Sequence, residues 1–300
     1  MQTNATTDVV ILGTGPAGLQ AAIHAARKHV SVLVLGKETK SSLYHAHIEN
    51  FCCVFSVSGE QILSTGRQQA AGFGARFLDE DVMSLKSVAE GFELTTENGS
   101  AVRTRSLIIA TGSHRNRLGV PGERDFLGKG VSYCVDCDGH FYKNEDVAVV
   151  GGESAAVDGA LAMTAIARQV HLLCGQLNVA EALKTRLRNS PVRVHENVSV
   201  KAIQGEQQVE RLVLQDGGVV AVSGVFIELG AKGLLELATR LGIRLDDEMR
   251  YIQTDKQQAT SIAGIYAAGD VCGPPWQMAK AVGEGCVAGI NAANYAKKLH

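Results

Sequence analysis

Short apolar runs alternate with small-residue turns and helical stretches along most of this chain. The first run covers residues 8–12, and a helical stretch follows from Leu19 to about Lys28. A second apolar run covers residues 30–35. Apolar runs of this length, bounded by turns and separated by a helical pattern, predict a βαβ unit with parallel strands.

The same pattern returns later in the chain. Residues 146–150 form an apolar run, a helical stretch extends to about Ile166, and residues 169–173 form another run. Residues 106–110 and 264–268 are further strand-like runs, each ending in small residues. The pattern predicts an α/β fold with two dinucleotide-binding, Rossmann-like domains, each of three layers.

A glycine-rich turn connects the first predicted strand to its helix. Gly13 permits a tight turn, Gly15 lets the backbone approach a pyrophosphate, and Gly18 lets the helix pack on the strand. The second strand ends at Gly36-Lys37, so the usual acidic ribose ligand is missing there and Glu38 is the candidate replacement. A turn without a ligand is the alternative. The candidate nucleotide-binding residues of this unit are Gly13, Gly15, Pro16, Ala17, Gly18 and Glu38.

Composition and charge narrow the class of protein. The 300 residues are 45% hydrophobic, which suits two compact domains, and a net charge of −2 gives no basic surface for nucleic acid. The first apolar run stops at Gly13, too short for a signal peptide or a membrane span. We therefore expect a cytoplasmic protein with small-molecule or protein partners and no membrane or nucleic-acid partner.

Two cysteines and an acid lie between the two predicted dinucleotide units. Cys134 and Cys137 have the spacing of a redox-active dithiol, and Asp138 can supply or remove a proton. The alternatives are half a zinc site, which needs two more ligands, or a pair of core cysteines; for Asp138, the alternative is a helix or turn cap. The other cysteines, Cys52, Cys53, Cys174, Cys272 and Cys286, are expected to be small core residues.

The order of these motifs resembles the low-molecular-weight thioredoxin reductases over almost the whole chain. Residues 48–51 resemble the family's VENF, residues 134–139 its CATCDG, and residues 264–271 its GIFAAGDV. The resemblance implies a bound FAD, a homodimer and an FAD-binding domain split by the second domain. The implied bounds are 1–117 and 244–300 for the FAD-binding domain and 118–243 for the inserted domain.

The resemblance also implies roles for particular residues. Cys137 is the flavin-facing sulfur, Cys134 attacks the disulfide of a thioredoxin-like protein, and Asp138 acts as acid or base. Trp276 is expected to stack on the flavin or to lie in the core or an interface. Relatives carry Arg-Gln-Ala where this chain has Gln277, Met278 and Ala279. The further cofactor-binding candidates are Asn50, Ala110, Thr111, Gly112, Gly269, Asp270, Gln277, Met278 and Ala279, with a helix N-cap as the alternative for Asp270.

The second domain departs from the family pattern. Glu153 stands where GGGxxA has a glycine, and a carboxylate about 4 Å from a phosphate costs about 4 kcal/mol at an effective dielectric near 20. The strand over residues 169–173 is followed by Cys174-Gly175-Gln176, where relatives carry a basic HRRxxxR cluster for the NADPH 2′-phosphate. Both nicotinamide cofactors are therefore disfavoured.

The chain in this respect resembles the ferredoxin-dependent flavin thioredoxin reductases. The leading hypothesis is a disulfide reductase that receives electrons from ferredoxin. The alternatives are a dithiol oxidase that uses oxygen, an enzyme with a second flavin in the nicotinamide site, an NADPH thioredoxin reductase with a divergent site, and a flavin-binding redox sensor. Asp138 favours the reductase over the oxidase, because those oxidases tend to carry His after CxxC.

Overall fold

The computed structural model describes residues 6–112, 117–229, 241–247 and 250–299. The chain divides into two compact units: the first comprises Met1–Thr96, Ser100–His114 and Leu237–His300, and the second comprises Glu97–Gly99 and Arg115–Glu236. The predicted functional domain bounds at 117 and 243 stay a prediction. Within the described ranges, no helix combines the length and the apolar character that crossing a bilayer requires.

The bounds of the regular elements are as follows. The strands are β1 Thr7–Leu12, β2 Val32–Leu35, β3 His47–Ile48, β4 Val57–Ser58, β5 Arg76–Leu78, β6 Val82–Val88, β7 Gly91–Thr96, β8 Ala101–Ile109, β9 Val131–Ser132, β10 Asp146–Val150, β11 Gln169–Leu173, β12 Arg193–His195, β13 Val200–Gln204, β14 Arg211–Leu214, β15 Val219–Ala221, β16 Gly224–Ile227 and β17 Ile265–Ala267. The helices are α1 Pro16–Ala26, α2 Gly59–Gly72, α3 Val135–Asp138, α4 Ser154–Met163, α5 Glu181–Arg188 and α6 Met278–Lys297.

The first unit is built on a sheet in the order β5-β2-β1-β8-β7-β6, with β17 also paired to β8. Strands β5, β2, β1, β8 and β17 run parallel, so their carboxyl ends meet at one edge. Strands β6 and β7 extend the sheet as an antiparallel pair. The central strand β1 is buried along its whole length, as expected for a parallel strand covered on both faces.

Helices α1 and α6 of the first unit pack closely through small residues. A Cβ added at Gly285 would overlap the carbonyl oxygen of Ala17, and one added at Gly289 would overlap that of Ala21. The glycines therefore let the two helix backbones approach each other.

The second unit repeats the parallel architecture on a smaller scale. Its sheet has the order β12-β11-β10-β16-β9, all parallel, and a separate antiparallel sheet is formed by β13, β14 and β15. The two dinucleotide-type units expected from the sequence are thus present, and the α/β fold is confirmed. Several element bounds differ: α1 begins at Pro16 instead of Leu19, β2 begins at Val32 instead of residue 30, and β8 begins at Ala101, five residues before the apolar run. Helix α4 ends at Met163, before the predicted end near Ile166.

Candidate functional site

Several predicted cofactor residues meet at the carboxyl edge of the first sheet. The Gly13 N–H donates to the Leu35 carbonyl at 2.8 Å, and the Ala110 N–H donates to the Leu12 carbonyl at 2.8 Å. The Ala268 N–H donates to Ile109 at 3.0 Å, which brings Gly269 to the same edge. Ligands of open α/β sheets bind outside the carboxyl ends of the strands, so this edge is the candidate nucleotide site of the unit.

The turn from β1 into α1 has the geometry that a dinucleotide phosphate requires. Gly13 has φ +114°, and a Cβ there would overlap the Ala110 carbonyl. Gly15 is the N-cap of α1, with φ −75° and ψ −178°, and the nearest atom to a Cβ built on it is Ser41 Oγ at 3.4 Å. No side chain caps this helix start and its first turn holds no acid, so its N–H groups can face an anion.

These features fit an FAD pyrophosphate, with the motif residues Pro16, Ala17 and Gly18 forming the first turn of α1. Glu38, the ribose candidate, begins a short 3₁₀-helix directly after β2 and is half-buried. Its neighbours Lys37 and Lys40 both lie against the buried carboxylate of Asp81, at 3.4 and 2.9 Å. The two lysines are thereby anchored beside the turn that holds Glu38.

Two predicted residues that are far apart in sequence contact each other. Asn50 Nδ2 donates to Gln277 Oε1 at 3.1 Å, and Gln277 is the N-cap of α6. Met278 and Ala279 are the first residues of that helix. The contact ties the segment between β3 and β4 to the start of α6. Trp276, one residue earlier, is 58% exposed, which excludes the core position among its three expected alternatives.

The Gly269–Gly273 turn is held by a pair of residues that the sequence reasoning missed. Lys280 Nζ donates to the carbonyls of Gly269 and Gly273, at 2.8 and 2.7 Å. Glu284 Oε2 accepts the Gly269 N–H at 2.8 Å and lies 3.0 Å from Lys280 Nζ. The available signal was the i,i+4 spacing of a Lys and a Glu in a helix that follows the AAGD motif.

The remaining candidates of this unit lie in turns. Asp270 begins a short 3₁₀-helix over Asp270–Cys272, and the N-cap of α6 is Gln277 instead. Asp270 is therefore not the N-cap of the long helix. Thr111 and Gly112 follow Ala110 at the end of β8, where Gly112 has φ +76° and Thr111 is exposed.

In the second unit, Cys134 and Cys137 form a disulfide at the carboxyl end of β9. Cys134 is the N-cap of α3, and its Sγ accepts the Cys137 N–H at 3.1 Å. Cys134 is 8% exposed and Cys137 is more exposed. The sequence roles of the two sulfurs stay a prediction, and Cys134 must become more accessible before it can attack a protein disulfide.

Asp138 is held by a buried serine that the sequence reasoning also missed. Ser132 Oγ donates to Asp138 Oδ2 at 2.6 Å and accepts the Cys134 N–H at 3.1 Å. Asp138 lies at the N-cap of the following 3₁₀-helix, but its side chain makes no cap hydrogen bond. The carboxylate is thus fixed next to the disulfide and does not cap the following turn.

The disulfide helix is also tied to the second glycine turn. The Val135 N–H donates to Glu228 Oε1 at 3.2 Å, and Glu228 follows β16. Gly151, at the end of β10, has φ +151°, and a Cβ there would overlap the Glu228 carbonyl. The redox pair and the nucleotide-type turn of the second unit therefore share one sheet edge.

The second turn has the backbone of a nucleotide site with an added carboxylate. Glu153 is the N-cap of α4, with φ −112° and ψ −176°, close to the extended conformation of Gly15 in the first unit. Its Oε2 atom is buried. The glutamate therefore stands at the helix start where Gly15 leaves room for a phosphate.

The end of β11 offers no cation in the segment where a 2′-phosphate would be bound. Cys174 is buried, and burial raises the pKa of its thiol to about 11, so it stays neutral at physiological pH. Gln176 is exposed, and its carbonyl lies where a Cβ on Gly152 would be. The next basic residue along the chain is Lys184, on α5.

The other cysteines agree only in part with the expectation of core positions. Cys174 is buried, whereas Cys272 and Cys286 are partly exposed. Cys52 and Cys53 are exposed, because the segment between β3 and β4 lies at the surface, so a core role was wrong for both.

The first unit has a glycine turn suited to a dinucleotide, and the second has a disulfide beside the carboxylate of Asp138. These two features define a class, the flavin-dependent disulfide oxidoreductases. The family model described as pyridine nucleotide-disulphide oxidoreductase matches residues 7–285. The chain belongs to this family, whose thioredoxin reductases bind FAD, and it is an FAD-dependent oxidoreductase of the thioredoxin reductase type.

Individual relatives agree with the family. Thioredoxin reductase of Treponema pallidum is 34% identical over 307 residues, covering 97% of this chain and 98% of the relative. The crystal structure of an atypical thioredoxin reductase from Desulfovibrio vulgaris Hildenborough matches with a TM-score of 0.84 and 34% identity, covering 98% of this chain and 99% of that one. A ferredoxin-flavin thioredoxin reductase from Clostridium acetobutylicum matches with a TM-score of 0.70 and 28% identity, with the same coverage.

Proposed function

We propose that this enzyme reduces the disulfide of a thioredoxin-like protein and that its electrons come from a ferredoxin and not from NADPH. The observation that carries the donor proposal is Glu153 at the N-cap of α4, in the position that Gly15 holds in the first unit. A carboxylate at this place repels the pyrophosphate that the turn would otherwise bind.

The segment after β11 supports the same conclusion independently. NADPH recognition needs a cation for its 2′-phosphate, and NADH recognition needs an acid for its ribose hydroxyl. The segment Cys174-Gly175-Gln176 provides neither, and the Cys174 thiol is neutral. One structural relative is named a ferredoxin-flavin thioredoxin reductase, which supports a ferredoxin donor for this chain.

A bound, reduced FAD would supply two electrons to the disulfide. We propose that Gly13, Gly15 and the first turn of α1 hold its pyrophosphate, that Glu38 takes a ribose hydroxyl, and that Gly269 and Asp270 contact the ribityl portion. Lys280 and Glu284 then act as positioning residues, because they fix both ends of the Gly269–Gly273 turn.

Three side chains, those of Cys134, Cys137 and Asp138, carry out the disulfide exchange. Once the Cys134–Cys137 disulfide is reduced, the Cys134 sulfur attacks one sulfur of the partner disulfide and the other sulfur leaves. Cys137 then attacks the mixed disulfide at Cys134, which restores the internal disulfide and releases the reduced partner. Asp138, held by Ser132, donates a proton to the leaving thiolate or removes one from the attacking thiol.

A trapping experiment tests the disulfide chemistry. In Cys137→Ser the resolving sulfur is missing, so a thioredoxin-like protein disulfide should remain attached to Cys134 as a mixed disulfide that non-reducing electrophoresis detects. Cys134→Ser should trap no partner through that position. Trapping by Cys134→Ser alone would reverse the roles, and trapping by neither variant would contradict the proposal.

The dithiol oxidase alternative is separated by a second measurement. An oxidase consumes oxygen when supplied with a dithiol substrate, whereas the proposed reductase produces thiols on its partner under anaerobic conditions when supplied with reduced ferredoxin. Oxygen uptake at a rate above that of partner reduction would favour the oxidase.

We also expect a homodimer in the cytoplasm, which sedimentation and cell fractionation can check.

A further inference from the structure

The segment between β3 and β4 carries two adjacent cysteines at the surface. Cys52 and Cys53 are both exposed, and their Sγ atoms lie 3.5 Å apart. Cys53 has φ +70°, a left-handed conformation that few residues other than glycine adopt. The disulfide chemistry proposed above uses neither thiol.

The geometry of neighbouring residues does not favour a disulfide between these sulfurs. Consecutive Cα atoms are about 3.8 Å apart, while disulfides usually join Cα atoms about 4.4–6.8 Å apart. Two sulfurs 3.5 Å apart can instead share one soft atom. With sulfur bonds of about 2.3 Å, as in zinc thiolates, the angle between the two bonds is about 100°.

The number of available protein ligands limits which soft atom Cys52 and Cys53 can bind. In the part of the chain that the structure describes, no group of three or more His, Cys, Asp or Glu side chains is placed to hold a metal ion. Structural zinc takes four ligands, so two thiolates do not satisfy it. Trivalent arsenic forms three bonds in a pyramid, with bond angles close to the angle of about 100° between the two sulfur bonds. Two thiolates and one non-protein substituent therefore complete the coordination of the arsenic atom.

We propose that Cys52 and Cys53 form a chelating dithiol site for trivalent arsenicals, separate from the Cys134–Cys137 pair. With phenylarsine oxide, two arsenic–sulfur bonds form and the arsenic–oxygen bond breaks. The two thiol protons leave with the oxygen as one water molecule, and arsenic stays trivalent. The step therefore needs no oxidant or reductant.

Intact-mass spectrometry of the full-length holoenzyme tests the site. The protein is used with the Cys134–Cys137 disulfide closed, which removes that pair from competition, and the probe is phenylarsine oxide. The wild-type protein should take up one arsenical, released by a competing small dithiol, and proteolysis should place it on the peptide that contains Cys52 and Cys53. This mapping needs no variant.

Single substitutions give the quantitative test. Cys52→Ser and Cys53→Ser each leave one thiol, so the dissociation constant should rise by about 100-fold or more, since the second bond is no longer intramolecular. Both side chains are exposed, so both variants should keep the flavin content of the wild type. Cys286→Ser is the matched control and should bind like the wild type. An arsenical mapped to Cys174, Cys272 or Cys286, or unchanged binding in both single variants, would overturn the proposal.

Discussion

Asp138 shows what a motif contains and what only the fold adds. The CxxCD spacing identifies the acid and both sulfurs. In the sequence, both cysteines lie between Ser132 and Asp138. The Ser132 hydroxyl reaches the carboxylate only because the chain passes directly from β9 into α3. A serine at the end of a two-residue strand gives no chemical signal in the sequence, so this positioning residue could not have been found without the structure.

Replacing Asp138 should slow disulfide exchange. Asp138→Asn keeps the size of the side chain and removes its ability to exchange a proton, so the rate of partner reduction should fall by about 10²-fold. The measurement is anaerobic turnover of a thioredoxin-like disulfide. Asp136→Asn, on the same short helix, is the matched control and should retain nearly full activity. Equal losses in both variants would mean that Asp138 acts only through structure.

The buried thiol of Cys174 makes stability depend on pH. Burial raises its pKa from about 9 to about 11, so the folded state holds the proton over a range in which the unfolded state loses it. The stabilisation is complete below about pH 9 and is lost as the pH rises towards 11. Two pKa units correspond to about 2–3 kcal/mol.

Cys174→Ala should therefore make the free energy of unfolding less dependent on pH between about 9 and 11. The free energy of unfolding in urea is measured for both proteins at pH 8 and at pH 10.5, and the wild type should lose more stability between the two conditions. Other titrating groups are common to both proteins, so the difference isolates Cys174. Identical losses would show that this thiol does not titrate as its burial requires.

At the scale of elements, the two glycine turns differ in one feature, and we propose that this feature makes the first unit suitable for a nucleotide and the second unsuitable. Both turns have a positive φ at their first glycine, and both helices begin from an extended N-cap. The difference is the side chain of Glu153 in the place of Gly15. The sequence revealed this substitution, but only the structure shows that a carboxylate oxygen is buried there.

Removing the Glu153 carboxylate and adding a cation after β11 should create a binding site for NADPH. Glu153→Gly combined with Gln176→Arg removes the carboxylate and adds a cation after β11, so the affinity for NADPH should rise by about 100-fold or more. Isothermal titration of the oxidised enzyme measures it. Glu153→Gln with the same second change is the control that separates charge from shape. If neither double variant binds NADPH more tightly, Glu153 and Gln176 do not determine the loss.

The contact between α1 and α6 gives a matched pair of glycines on one helix. Gly285→Ala places a Cβ against the Ala17 carbonyl and should destabilise the protein by about 1–3 kcal/mol. Gly283→Ala, in the same helix with no atom within 4 Å of its added Cβ, should stabilise it by about 0.5–1 kcal/mol. Urea denaturation compares the two. Equal effects would show that the helix backbones do not need this approach.

Element prediction from the sequence succeeded where strands are buried on both faces. Strands β10 and β11 match the predicted ranges because both consist mainly of apolar residues. The antiparallel strands β6, β7 and β13 were not among the predicted strands, although their alternating apolar and polar residues are typical of half-buried strands. The loop with Cys52 and Cys53 was misjudged since apolar composition alone does not show which side of a segment faces the solvent.

At the scale of the whole molecule, we propose that two units of related architecture carry different parts of one reaction. The first unit retains the features of a dinucleotide site, and the second retains the redox disulfide while its own nucleotide turn holds a carboxylate. The family follows from motifs spread over nearly the full length, with the match over residues 7–285. We infer the donor instead from a few residues that interrupt those motifs.

The rate of flavin reduction by different donors tests the central claim most directly. The purified, flavin-loaded enzyme is mixed anaerobically with NADPH, NADH or reduced ferredoxin in turn, and the loss of flavin absorbance is followed by stopped flow. We predict rapid bleaching with reduced ferredoxin and slow or no bleaching with either nicotinamide. Rapid bleaching by NADPH would contradict the account and show that Glu153 and the segment after β11 still permit nicotinamide binding.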